Sequence, residues 1–275
     1  MSPSPGARHL TLLLVLVLGA CSTPRIDLAG WRARTTRERP VAERRELAAD
    51  RAEVEQLRSA DELARARELA LALAAEHPNE GAVLTLASRA ESDGVFLFPE
   101  KDTDARNHAA ASALDFAERA WEFGERSVPA RAQLAWALGT TTHLQPMSAR
   151  SEHARRILAV ATAVRAEEPE NATALATLAV LNLRLETLPW IAKLMASGLP
   201  ESSLAVAEDC ARRAVAAAPS RENRMILAKV LIAAEREKEA LTVVEEALAA
   251  PPAYPRDHAL EPAVRALLAK LGGAR

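Results

Sequence analysis

One arrangement of small and large residues recurs along this chain, and most copies of it close on a proline. The clearest copy runs from Arg221 to Pro252: Leu227-Ala228 and Leu231 mark a first helix, Ala240, Val244 and Ala247 a second, and Pro252 the stop. The second-helix half returns as Ala207, Ala211, Ala214 and Pro219, as Ala66, Ala70, Leu73 and Pro78, and, without its proline, as Ala113, Ala117 and Ala120. The first-helix half returns as the large–small pairs Leu86-Ala87, Leu134-Ala135 and Leu178-Ala179, and Pro169 closes the helix before it. Alanines four apart share one helix face and let a partner helix approach closely, while proline cannot continue a helix. A chain with this punctuation is confined to antiparallel helix pairs, each burying its apolar face against the next.

Composition agrees. Hydrophobic residues make up 49% of the 275 but aromatics only 3%, and alanine, the best helix former, is abundant. Alternating β-branched stretches and Asn-Gly turns are missing, so no sheet is expected. The offsets resemble those of the tetratricopeptide repeat (TPR). The fold class expected is therefore all-α: a TPR-like superhelical stack of about five antiparallel helix pairs between Glu43 and Pro252, then a C-terminal capping helix, Asp257 to Leu271. Three stretches exceed the regular ~34-residue period, near Gly94 to Asp104, His143 to Arg150 and Glu186 to Glu201. The solenoid is assigned to 43–271, with 272–275 as a tail.

The first residues do not belong to that body. Arg8 precedes an apolar run from Leu10 to Leu18, too short for the ~20 residues of a membrane span. A charged start, a short apolar stretch and small residues are the marks of an export signal, here 1–20. Leu18-Gly19-Ala20-Cys21 resembles the bacterial lipobox, which implies that Cys21 is diacylated and becomes the first residue of the mature chain; the alternative is an ordinary signal peptide followed by a cysteine. Ser22 after the Cys implies an outer-membrane anchor facing the periplasm. Residues 21–42 then read as a tether, with Pro24, Gly30 and Pro40 and no apolar periodicity. From Arg25 to Arg45, seven arginines against three acids leave +4, while residues 46–275 carry −7. The basic stretch suits an anionic membrane surface or is a plain solvated linker. Cys210, the other cysteine, is expected to be a small buried hydrophobe.

A narrower resemblance rests on Leu188-Pro189-Trp190 between paired helices, on Ala247-Leu248-Ala249-Ala250-Pro251-Pro252, and on the last helix, Leu260 to Leu271. Leu178 to Leu271 is similar to the C-terminal half of two TPR groups. These are the T-component lipoproteins of tripartite ATP-independent periplasmic (TRAP) transporters and the regulator of microtubule dynamics proteins. Arg106 to Glu125 also resembles the T-component pattern. The export signal favours the T-components, a resemblance that implies cooperation with a periplasmic solute-binding protein and oligomerisation around a channel. The insertion lacks the Gly-rich form common in that group, and the N-terminal helix pair is charge-rich and weakly patterned.

Catalytic and metal signatures are absent. The histidines are scattered, and no His-Glu-x-x-His, Cys-x-x-Cys, phosphate-cradling glycine loop or nucleophile elbow occurs. No enzyme, cofactor or metal is expected, and the net charge of −2 gives no reason for a nucleic-acid partner. The acidic group Glu100, Asp102, Asp104 and His108 is read as a helix start with Thr103 or Asp104 as its cap, the alternative being a calcium site, and Asn171 as a cap after Pro169 rather than the acceptor of the sequon Asn171-Ala172-Thr173. What remains is a surface. Groove positions of a TPR stack select Ser88, Trp136, Val180, Arg184, Met225 and Lys229. An aromatic beside aliphatic residues and two cations suits an apolar ligand with a carboxylate, or a peptide C-terminus; the alternative is that Trp136 and Val180 are core and the cations merely solvated. Two functions follow: a membrane-anchored transport accessory binding a solute-binding protein or a small amphiphilic ligand, or an envelope scaffold for outer-membrane assembly or secretion that binds polypeptides only.

Overall fold

The computed structural model describes residues 41–191 and 198–272. Cys21, the export signal, the tether up to Pro40, and the last three residues lie outside the described residues. The chain divides at Arg44/Arg45.

Eleven α-helices occur among the described residues: α1 (Val41–Ser59), α2 (Leu63–Glu76), α3 (Gly81–Gly94), α4 (Thr103–Glu122), α5 (Val128–Thr141), α6 (Met147–Glu167), α7 (Ala172–Glu186), α8 (Leu204–Ala217), α9 (Arg221–Ala233), α10 (Glu237–Ala249) and α11 (Asp257–Gly272). They form five pairs and a last helix, the TPR-like stack that the repeat predicts. The helices begin and end for local reasons. Ser127, Asn171 and Ser220 each accept a backbone N–H of the first turn, at Ala130, Ala174 and Asn223, capping α5, α7 and α9. Pro78, Pro169, Pro219 and Pro251 stand one or two residues beyond the ends of α2, α6, α8 and α10. The start of α4 differs from expectation: its cap is Asp102, whose Oδ1 accepts from the Ala105 N–H at 3.2 Å. An N-cap reaches the N–H three residues on, so Asp102, the last residue before the helix, holds that place, and Thr103 and Asp104 already lie inside the first turn.

The alanine faces meet as the offsets require. Ala207, Ala211 and Ala214 of α8 and Ala240 and Ala247 of α10 have no exposed surface, and they pack in one cluster with Leu175, Leu227 and Leu231. Cys210 lies fully buried in that cluster, where burial pushes its thiol up from the ordinary value. A second cluster joins α1 to α4 through Val54, Ala66, Ala70, Leu84 and Ala87, and a third joins α4 to α7 through Leu134, Leu138, Ile157 and Leu181. Each odd-numbered helix from α3 onward touches the next odd one, α3 to α5, α5 to α7, α7 to α9 and α9 to α11, so these form the inner row.

The stack closes on itself. The two oxygens of Asp61, in the turn between α1 and α2, accept the backbone N–H groups of Arg256 and His258 at the start of α11, both at 2.9 Å. The guanidinium of Arg256 reaches Asp93 of α3 at 3.2 Å and Glu222 of α9 at 2.7 Å. It also lies over the rings of Phe96 and Trp136, at 5.7 and 5.6 Å from their centroids. Asp61 and Arg256 both hold positive φ, 59° and 72°, so two of the three non-glycine residues with left-handed backbone among the described residues sit at this junction. First pair and last helix are thereby joined across the inner row.

Candidate ligand-binding chamber

The inner row walls a chamber of about 960 Å³. Its apolar wall comes from Trp136 (α5), Ile157 (α6), Val180 and Leu181 (α7), Met225 and Ile226 (α9), and Leu260 and Ala263 (α11). All three stretches that lengthen the repeat contribute: Phe96, Phe98 and Glu100 from the first, His143 and Arg150 from the second, Leu188 and Leu199 from the third. A smaller cavity of about 350 Å³ shares Phe96, Arg106, Trp136 and His143 with it and adds Asn107 and Arg256.

Five of the six groove residues named from the sequence line this chamber: Trp136, Val180, Arg184, Met225 and Lys229. Ser88 does not, which corrects its assignment. Its side chain is fully buried; the hydroxyl donates to the Ala113 carbonyl at 2.6 Å and accepts from the Gln133 amide at 2.9 Å. The physical reason is that α3 is buried nearly all round, from Val83 to Ser88 and from Ala90 to Gly94, so an offset that reaches the chamber on α5, α7 and α9 reaches only neighbouring helices on α3.

The polar groups of the wall are unevenly matched. Arg106, Arg150, Arg184 and Lys229 stand against Glu100 and Glu222. Arg150 is held by the carbonyls of Gln145 and His143 at 3.0 and 3.1 Å. Arg184 donates to the Gly139 carbonyl at 2.8 Å and meets no carboxylate at ion-pair distance among the described residues. Lys229 feels Glu222, but both oxygens of that carboxylate are engaged by Arg256, at 2.7 and 3.1 Å. Arg184 and Lys229 keep accessible surface, yet protein crowds them from most sides. That desolvation holds both below their ordinary values; for Lys229 the neighbouring Arg184 charge adds to the effect and Glu222 opposes it. Burial likewise pushes the Glu222 carboxyl up, against the pull of Arg256.

Phe96, Phe98, Leu188, Leu199 and the face of α11 were not among the sequence candidates. The over-length stretches signalled an insertion but not its direction, and nothing local shows that the last helix bends back to the first pair. The described residues show no group of three or more His, Cys, Asp or Glu able to hold a metal ion. None of the described helices is long and apolar enough to cross a membrane.

Comparison with known proteins places the fold and the family. The crystal structure of TTC0263, a thermophilic TPR protein of Thermus thermophilus, superposes with a TM-score of 0.54 at 16% identity, covering 81% of this chain and 98% of that one. At that identity the likeness carries the fold alone, and it is the TPR fold. No curated protein matches the sequence. The family model for regulator of microtubule dynamics protein 1-3 matches residues 50–272, which is most of the chain and nearly the whole helical stack from α1 to α11. With five nested helix pairs, a TPR protein as structural neighbour and a family match running through every pair, the chain belongs to the regulator of microtubule dynamics protein 1-3 family.

Proposed function

We propose that this protein is a non-catalytic, lipid-anchored binding protein whose inner chamber takes a small ligand with a large apolar part. The observation that carries the reading is the chamber itself. At about 960 Å³ it sits near the top of the ~300–1,000 Å³ range of small-molecule sites, and it has the mostly apolar wall with few polar groups that such sites share. The TPR architecture, a fold suited to protein–protein contact, supports a protein partner on the outer surface. The lipobox-like Leu18-Gly19-Ala20-Cys21 supports anchoring in the outer membrane facing the periplasm, and the likeness of Leu188-Pro189-Trp190 to the T-component insertion supports a periplasmic solute-binding protein of a TRAP-type system as that partner.

Crosslinking intact envelopes, purifying the full chain and identifying both the attached proteins and the organic-extractable molecules tests this reading. A solute-binding protein together with a bound small molecule is expected. Outer-membrane assembly or secretion proteins with an empty chamber would instead establish a polypeptide scaffold. A fatty-acid probe tests the anchor in the same cells: the wild type is expected to be labelled and Cys21→Ser unlabelled, and equal label on both would sink the lipobox reading.

A further inference from the structure

The body of this protein is acidic, with −7 over residues 46–275, yet the wall of its chamber is cationic: four basic side chains face two carboxylates. Chance placement of surface charge would give the opposite sign. None of the four meets a carboxylate at ion-pair distance among the described residues; Arg150 is held by two backbone carbonyls and Arg106 lies over the Phe96 ring, which leaves Arg184 on α7 and Lys229 on α9, and the one acid that Lys229 feels is already clamped by Arg256. Lys229 also feels the charge of Arg184, and like charges that act on each other in a partly desolvated place destabilise the empty protein. Elsewhere three buried or half-buried arginines are paired with acids, Arg58 with Asp93, Arg67 with Glu91 and Arg221 with Glu261. The four bases of the chamber wall are not. The apolar wall lies beside it, formed by Val180, Met225, Ile226 and Leu260.

We propose that Arg184 and Lys229 form a head-group site, and that the chamber's ligand is a single-chain amphiphile ending in an anion, a carboxylate or a phosphate. The guanidinium is held in place by the Gly139 carbonyl, with its remaining N–H groups unpaired among the described residues and open to a planar or tetrahedral anion, and the ammonium supplies a second positive charge from the neighbouring helix. The tail lies along the aliphatic wall, and the volume suits one chain with its head. This assignment rests on the chamber being the binding site.

The test uses the purified full chain and two fluorescent probes, dansyl-labelled undecanoic acid and its methyl ester. The acid is expected to bind at least about tenfold more tightly than the ester. In the double variant Arg184→Gln, Lys229→Gln the acid should fall to the ester's affinity while the ester is unchanged. The ligand-free variant should melt no lower than the wild type, because it removes two charges without counter-ions; a merely structural role would lower the melting temperature. Displacement of the acid by dodecyl phosphate alone assigns a phosphate head, by laurate alone a carboxylate, and by both the charge common to them. Equal binding of acid and ester leaves the chamber as a site but overturns the anion assignment, as does a double variant that keeps the preference for acid. Binding of neither probe overturns the chamber reading itself.

Discussion

Among single residues, Asp93 joins two arginines in the interior. Its side chain is only 2% exposed, one oxygen lies 2.5 Å from the Arg58 guanidinium, and the other lies 3.2 Å from that of Arg256. Arg58 is itself 6% exposed and also holds Glu55, which in turn meets Arg89. Removing the acid leaves Arg58 with Glu55 alone and Arg256 with Glu222 alone in a poorly solvated place, and breaking a buried pair from one side costs about 3–5 kcal/mol. Asp93→Ala is therefore expected to lower unfolding stability by that amount in a urea titration, with Ser88→Ala, a nearby neutral change, costing less. A loss under about 1 kcal/mol would show that water reaches the network. The same cluster explains why the N-terminal pair looked weakly patterned. Within it Arg58 is packed inward against Asp93 of α3 and Arg67 reaches the buried Glu91, so charge occupies positions where a helix pair ordinarily shows apolar residues. Periodicity of hydrophobic residues cannot register a core made partly of paired charge.

For helices, alanine spacing decides the packing. Ala211 of α8 and Ala240 of α10 have no exposed surface, and each sits where two helices approach within the largest cluster. Enlarging either to leucine forces side chains off their rotamers or the helices apart, at about 1–3 kcal/mol. Lys238, near Ala240 but on the exposed side of α10, should tolerate the same change almost silently. Thermal melts in which Ala211→Leu, Ala240→Leu and Lys238→Leu behave alike would count against close helix nesting. This is the part of the molecule that was most legible beforehand. Ala–x–x–x–Ala spacings, large–small pairs and closing prolines are local consequences of helix geometry, so the five pairs, their order and the last helix could all be read from them. The chamber was half legible. Trp136, Val180 and Lys229 each stand two residues beyond the leucine of a large–small pair, and that offset faces inward on α5, α7 and α9. Ser88 shares the offset but belongs to a helix that is covered on nearly every side. Which helix is covered depends on what folds over it, and no window of local sequence contains that.

A solenoid is ordinarily one-dimensional: each repeat touches its neighbours, and the two ends fray first. Here the ends are joined through Asp61, whose carboxylate caps α11 from 195 residues away, and through Arg256 with Asp93 and Glu222. An acid at a helix N-terminus satisfies free N–H groups and sits favourably in the helix dipole. Joining the ends also sets how the α11 side of the chamber stands against the α5 side, so the site depends on a contact that neither side makes alone. Asp61→Asn isolates this effect. Asparagine tolerates the left-handed backbone at this turn, keeps the size, and exchanges the charge and one acceptor for an amide donor. The expected loss is about 1–2 kcal/mol, but its distribution matters more than its size. In the wild type, amide hydrogens of α11 should exchange as slowly as those of α7 and α9. In Asp61→Asn they should exchange faster than the middle pairs, while α7 and α9 stay nearly as protected as before. Uniformly faster exchange along the whole chain would mean that Asp61 stabilises the fold without joining its ends, and unchanged exchange in α11 would mean that Arg256 closes the stack alone.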